Sequence, residues 1–150
     1  MPADTDLIKL YSGRILELAA DIPHQERLEA PMATVKKRSP LCGSMVTVDL
    51  VMEDGRVKDF GQDVKACALG QAAAAVTGGA VIGRTAEELC KARDELRDML
   101  KNNGAVPSAP FDGFEVLVPA RAFKNRHASI LLSIEATCEA AEELAQSNCA

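Results

Sequence analysis

Hydrophobic positions change their period along the chain, and each change marks an element. From Asp6 to about Ala20, the residues Leu7, Leu10, Tyr11, Ile15 and Leu18 share one side of a 3.6-residue repeat, which predicts an amphipathic helix. Asp21 to Pro31 is polar, contains Pro23 and Pro31, and reads as a connector. Thr34 to Ser39 has the composition of a short strand. Met45 to Met52 alternates and carries β-branched residues, Glu53-Asp54-Gly55-Arg56 is a turn signal, and Val57 to Gly61 reads as the partner strand. The expectation is a hairpin or meander of about three strands.

From Ala68 onward the pattern is helical. Ala68 to Thr77 is Ala-rich and is expected to close on Gly78-Gly79. Thr85-Ala86-Glu87-Glu88 is a capping box that opens a helix running to about Asn103, with Asn102-Asn103-Gly104 as its stop. Pro107 to Pro119 reads as a loop with a short apolar run, Phe114 to Val118. Asn125 to Gln146 predicts a last helix with Ile130, Leu131, Ile134, Cys138, Ala141 and Leu144 as its buried stripe. Strands first and helices afterwards predict an α+β fold: a three-stranded antiparallel sheet with helices packed on one face.

Composition narrows the class. At 150 residues and 16.0 kDa the chain is read as one domain, 1–150, with 1–30 forming an N-terminal helix and connector. A net charge of -5 without a basic tract argues against nucleic acid and anionic membrane as partners. The start of the chain lacks the charged and apolar regions of a signal peptide, and no apolar run approaches the roughly 20 residues of a membrane span, so the expectation is a cytoplasmic protein.

The candidate chemistry lies in the cysteines. Cys42 precedes Gly43 in Leu41-Cys42-Gly43-Ser44, just before the strand pattern, and Gly43 lets the backbone bend there. Cys67 stands where a strand gives way to a helix, with the positive end of the helix dipole at its sulfur. Two such turns can bring both sulfurs to one end of a small sheet. In a reducing compartment the five cysteines are expected to be thiols or ligands rather than a disulfide framework. Cys90 and Cys138 fall on helical patterns and are expected as small core residues, and Cys149 as an incidental thiol. The carboxylates Glu87, Glu88, Asp94, Glu95 and Asp98 alternate with Lys91, Arg93 and Arg97 and read as a solvated helix face. Gly78 to Gly83 reads as loop punctuation and His24 as an exposed loop histidine. Ser39, Ser44 and Ser129 lack a base-and-orienter set, so a hydrolase is not expected.

These residues also carry a resemblance. From about Ala30 to Ala145 the chain resembles the NifU/IscU-type iron–sulfur cluster assembly scaffolds. It shares the Cys42-Gly43 turn, Cys67 before the Ala-rich segment Gln71 to Ala75, the helix start Gly83-Arg84-Thr85-Ala86-Glu87-Glu88, and Arg126-His127-Ala128-Ser129-Ile130-Leu131 opening the last helix. In that family the first turn usually reads Cys-Gly-Asp, and a third cysteine opens the last helix. Here Ser44 and Ala128 stand at those positions.

The resemblance implies a non-enzymatic scaffold or carrier that binds a [2Fe–2S] cluster, iron or zinc through Cys42, Cys67 and His127. It also implies a cysteine desulfurase and recipient apo-proteins as partners, and leaves the oligomeric state open. Thiolates hold such clusters, histidine substitutes on some irons, and zinc takes both. The alternative is a degenerate member that keeps the fold as a binding or regulatory module without a stable cluster.

Overall fold

The computed structural model describes residues 12–40 and 43–148. Strands β1 (Ala33–Arg38), β2 (Met45–Glu53) and β3 (Arg56–Lys65) form one antiparallel sheet in the order β1-β2-β3. Arg38 pairs with Met45, and Met45 in turn pairs with Lys65, which fixes the strand ends that meet at the candidate site. β2 and β3 are joined through Asp54-Gly55, both at positive φ, the geometry of a two-residue turn that matches strand twist.

Among the described residues four α-helices accompany the sheet: α1 (Gly13–Ala20), α2 (Ala68–Ala80), α3 (Ala86–Lys101) and α4 (His127–Asn148). The part of the first amphipathic pattern before Ser12 lies outside the described residues. The helices cover one face of the sheet. Val46, Val48 and Leu50 of β2 meet Leu69, Ala72 and Ala73 of α2 and Ile130 and Ile134 of α4 in a single core. The whole expected stripe of the last helix, from Ile130 to Leu144, is buried. The capping box is present: Thr85 Oγ1 accepts from the Glu88 N–H at 3.1 Å, and Glu88 Oε1 accepts from the Thr85 N–H at 3.1 Å. No described helix is long and apolar enough to cross a membrane.

Three boundaries differ from the sequence pattern. β3 extends to Lys65 rather than Gly61, because its continuation pairs with Met45 to Val48. α2 runs through Gly78-Gly79 to Ala80, since Gly78 is buried against Pro23 of the connector, which offsets the roughly 1 kcal/mol that propensity charges a helical glycine; Gly79 is exposed. Asp112–Ala122, expected as loop, is wound in 3₁₀ turns and buries Phe114, Leu117 and Ala120.

The cysteine expectation is corrected on one point. Cys90 of α3 and Cys138 of α4 are joined in a disulfide, with Cα atoms 4.9 Å apart. They are not two independent core thiols. Each had been read on its own helix, 48 positions apart, and only helix packing brings them together.

The connector is anchored rather than loose. Asp49 of β2 is wholly buried on the sheet face opposite the helices. Its carboxylate accepts from Arg27 Nε at 2.6 Å and Nη2 at 3.1 Å, from Thr34 Oγ1 at 2.6 Å and from the Leu28 N–H at 3.0 Å. Burial pushes the carboxyl up, but the hydrogen bonds from Arg27, Thr34 and Leu28 outweigh it and hold the group below its ordinary 3.8. The stabilisation is therefore complete above that value and is lost as pH falls through the folded-state value. Asp49→Asn is expected to cost about 1–3 kcal/mol near neutrality by leaving donors short of acceptors. Denaturant unfolding of both proteins should show that difference constant above about pH 5 and shrinking below it.

Candidate metal centre

The β1–β2 loop, 39–44, folds back on itself. The Ser39 N–H donates to the Ser44 carbonyl at 2.8 Å, the Gly43 N–H donates to the Ser39 carbonyl at 3.2 Å, and Gly43 sits at φ +71°. That conformation favours glycine. Ser39 and Ser44 are both buried. Cys42 lies outside the described residues, on the loop whose near end is Gly43-Ser44.

At the neighbouring strand end, β3 stops at Lys65 and α2 begins at Ala68, so Cys67 is the residue that enters the helix, with extended backbone. Gln71 Nε2 donates to the Ala66 carbonyl at 2.8 Å and fixes this entry. Cys67 is half-buried, and it is the one cysteine without a disulfide among the described residues.

The first turn of α4 closes the group. Ser129, buried, donates to Ser44 Oγ at 3.0 Å, and its own oxygen lies 3.5 Å from Cys67 Sγ. With the serine proton directed at Ser44, the Cys67 S–H is the donor that continues the chain. The result is a hydrogen-bonded run, Cys67–Ser129–Ser44, that crosses from α2 through α4 to the cysteine-bearing loop. Gly70 makes the approach possible: a Cβ there would lie 2.6 Å from Ser129 Oγ and 2.8 Å from Ala66 Cβ.

His127 occupies a different side of the same helix. It is buried, and Nε2 lies 2.9 Å from the Ala120 carbonyl. A carbonyl only accepts, so Nε2 carries a proton and donates to it. The ring borders a cleft of about 510 Å³ with Leu100, Asn103, Lys101, Arg121 and Lys124. Two helical steps turn a side chain by about 200°, so His127 and Ser129 leave α4 in different directions. The structure thus joins Cys67 to Ser44 and Ser129, and sets the imidazole against the Asp112–Ala122 segment. Ser129 was legible only as a serine without a catalytic base. Its bridging role follows from the close packing at Gly70, which no sequence spacing announces.

Comparison with known proteins decides the family. The fold superimposes on the crystal structure of a nitrogen-fixing NifU-like protein (N-terminal) from Brucella abortus with a TM-score of 0.91 and 43% identity, covering 94% of this chain and 98% of that one. The chain belongs to the NifU/IscU-type family of iron–sulfur cluster assembly scaffolds. A second relative is the iron–sulfur cluster assembly scaffold protein IscU of Thermotoga maritima, 29% identical over 90 residues, which are 60% of this chain and 63% of that protein. The chain thus spans a little under two thirds of that curated scaffold. A protein assigned to cluster assembly in the SUF system of Fervidobacterium islandicum AW-1 shares the fold, with a TM-score of 0.78 at 17% identity over 88% of this chain and 96% of that one. No protein-family model matches the chain.

Within this NifU/IscU-type chain, Gly70→Ala should force α2 and α4 apart at Ser129. A loss of about 1–3 kcal/mol in thermal or denaturant unfolding is the expected result. The thiol of Cys67 should also react faster with a soluble disulfide reagent than in the parent.

Proposed function

We propose that the chain is an assembly scaffold or carrier for iron–sulfur clusters, holding a [2Fe–2S] cluster or its iron or zinc precursor through Cys42, Cys67 and His127. The observation that carries this reading is the hydrogen-bonded run from Cys67 through Ser129 to Ser44, two residues after Cys42. The buried Ser44 end of the loop in whose sequence Cys42 falls is tied through Ser129 to the Cys67 thiol. Two thiolates there suit iron and zinc alike. His127 supplies the third donor through Nδ1, with Nε2–H on a backbone carbonyl, the support that metal-bound histidines commonly have. Because the imidazole leaves α4 on another side from Ser129, loading requires the helix start to turn.

The cluster is cargo, not a catalyst. The chain is read as a single cytoplasmic domain that performs no reaction of its own, receives sulfur from a cysteine desulfurase and passes the cluster to apo-proteins. The Thermotoga maritima relative named as a cluster assembly scaffold supports this role.

Anaerobic reconstitution with ferrous iron and sulfide tests it. The parent should acquire visible absorption and about two irons per chain. Cys42→Ser and Cys67→Ser should abolish both signals, and His127→Gln should leave a cluster that is lost faster on desalting. A parent that gains no absorption while remaining folded would sink the scaffold reading in favour of a binding module without a cluster.

Ser44→Asp with Ala128→Cys adds two anionic donors at the end of the sheet where Cys67 stands. Metal affinity follows ligand charge and count. The double variant should keep zinc through dialysis against a mild chelator that strips the parent, as read by metal analysis of the retained protein.

A further inference from the structure

We propose that Cys90, Cys138 and Glu142 form a second metal site, separate from the Cys67 centre, which takes a zinc-class divalent cation only after the Cys90–Cys138 bond is reduced. The donor atoms of the three residues lie within 4.8 Å of one another. Cys138 and Glu142 are four positions apart on α4 and so share one face, while Cys90 reaches them from α3. Two sulfurs and a carboxylate, with water as a fourth ligand, make a soft tetrahedral set suited to zinc.

The surroundings fit such an ion. Cys90 borders an open cleft of about 510 Å³ whose other walls, among the described residues, are Glu87, Lys91, Asp94, Glu95 and Asp98. Those carboxylates raise the local concentration of divalent cations at the only half-buried sulfur of the pair. Arg93 Nη1 lies 3.0 Å from Cys138 Sγ, a positive partner for a sulfur anion, and its charge is offset by Asp94 at 2.9 Å. Glu142 is exposed, so its carboxylate can turn without opening the core.

The oxidised state excludes the metal, because a disulfide sulfur carries no charge and is a weak donor, whereas the thiolate is the ligand that holds such an ion. A dithiol reductant opens it. One reductant thiolate attacks Cys90 Sγ, the S–S bond breaks, and Cys138 leaves as thiolate. The second reductant thiol then displaces Cys90 from the mixed disulfide, and the reductant departs as its own disulfide. The protein has gained two electrons and two protons. Binding one divalent ion releases those two protons and leaves two metal–thiolate bonds.

Zinc alone is the probe, applied to the full chain carrying Cys42→Ser and Cys67→Ser, so the outcome is independent of whether a cluster is carried at the other centre. After reduction and anaerobic removal of the dithiol, this protein should retain one zinc per chain through desalting. Its air-oxidised form should retain none. Cobalt in place of zinc should give the charge-transfer absorption of two thiolates. Adding Cys90→Ser should abolish retention, and adding Glu142→Gln should weaken zinc binding by about tenfold or more, the scale on which metal sites respond to lost supporting groups. Zinc should also raise the melting temperature of the reduced protein, and raise it less in its Glu142→Gln form at the same zinc concentration, a reading that survives if reduction loosens the fold. Absence of zinc from the reduced, folded protein would overturn the proposal. So would equal retention by the oxidised form or by the Cys90→Ser form.

Discussion

The arrangement depends on one buried amide. Gln62 of β3 is wholly inaccessible, yet each of its polar atoms is engaged. Nε2 donates to the Ala74 carbonyl of α2 at 3.0 Å and to the Pro23 carbonyl of the connector at 3.3 Å, and Oε1 accepts from Ser133 Oγ of α4 at 3.0 Å. An unsatisfied amide in that position would cost about 1–3 kcal/mol, so the sheet, α2, α4 and connector are held to the one mutual placement that satisfies it. Apolar contacts alone tolerate small slides. The amide does not. Ser133 lies one helical turn after Ser129, on the same face, so the contact that fixes α4 on β3 also aims Ser129 at Cys67.

The opposite face of the sheet has its own polar anchor in Asp49. With Arg27, Thr34 and Leu28 it turns a proline-containing connector into a packed layer. The surface pairs Lys37–Glu139 and Arg97–Glu135 add little by comparison, since exposed ion pairs contribute about 0–1 kcal/mol. Order at the site therefore comes from buried, directional groups on both sides of the sheet, while the bulk of the stability comes from the aliphatic core between sheet and helices.

The two sulfur centres differ in their physical setting. At the Cys67 end the neighbours are neutral hydroxyls and a helix start, so cation binding relies on the thiolates themselves. At the Cys90–Cys138 end, carboxylates and an arginine surround sulfurs that are already bonded to each other. One end of α4 thus faces the loop that carries Cys42, and its middle is tied to α3 by a bond that a reductant can open. Helix α4 is the element common to both.

Much of the architecture was legible in the chain. Alternation over Met45 to Met52, the Asp54-Gly55 turn, the Thr85 capping box and the stripe from Ile130 to Leu144 are local signals, and each marks its element because backbone preference and burial agree there. The family motifs likewise marked Cys67 and the start of α4. Local signals could not report pairings across the fold. The disulfide spans 48 positions, the Ser129–Ser44 bond 85, and the Gln62–Ser133 bond 71. Gly78 and the Asp112–Ala122 segment misled for the same reason, since tertiary burial there overrode propensity. The sequence by itself determined where the strands and the main helices form, because those follow from period and caps. Only the tertiary structure decided which side chains meet, because contact depends on how helices settle on a sheet, and that is set by close packing and by satisfying buried polar groups.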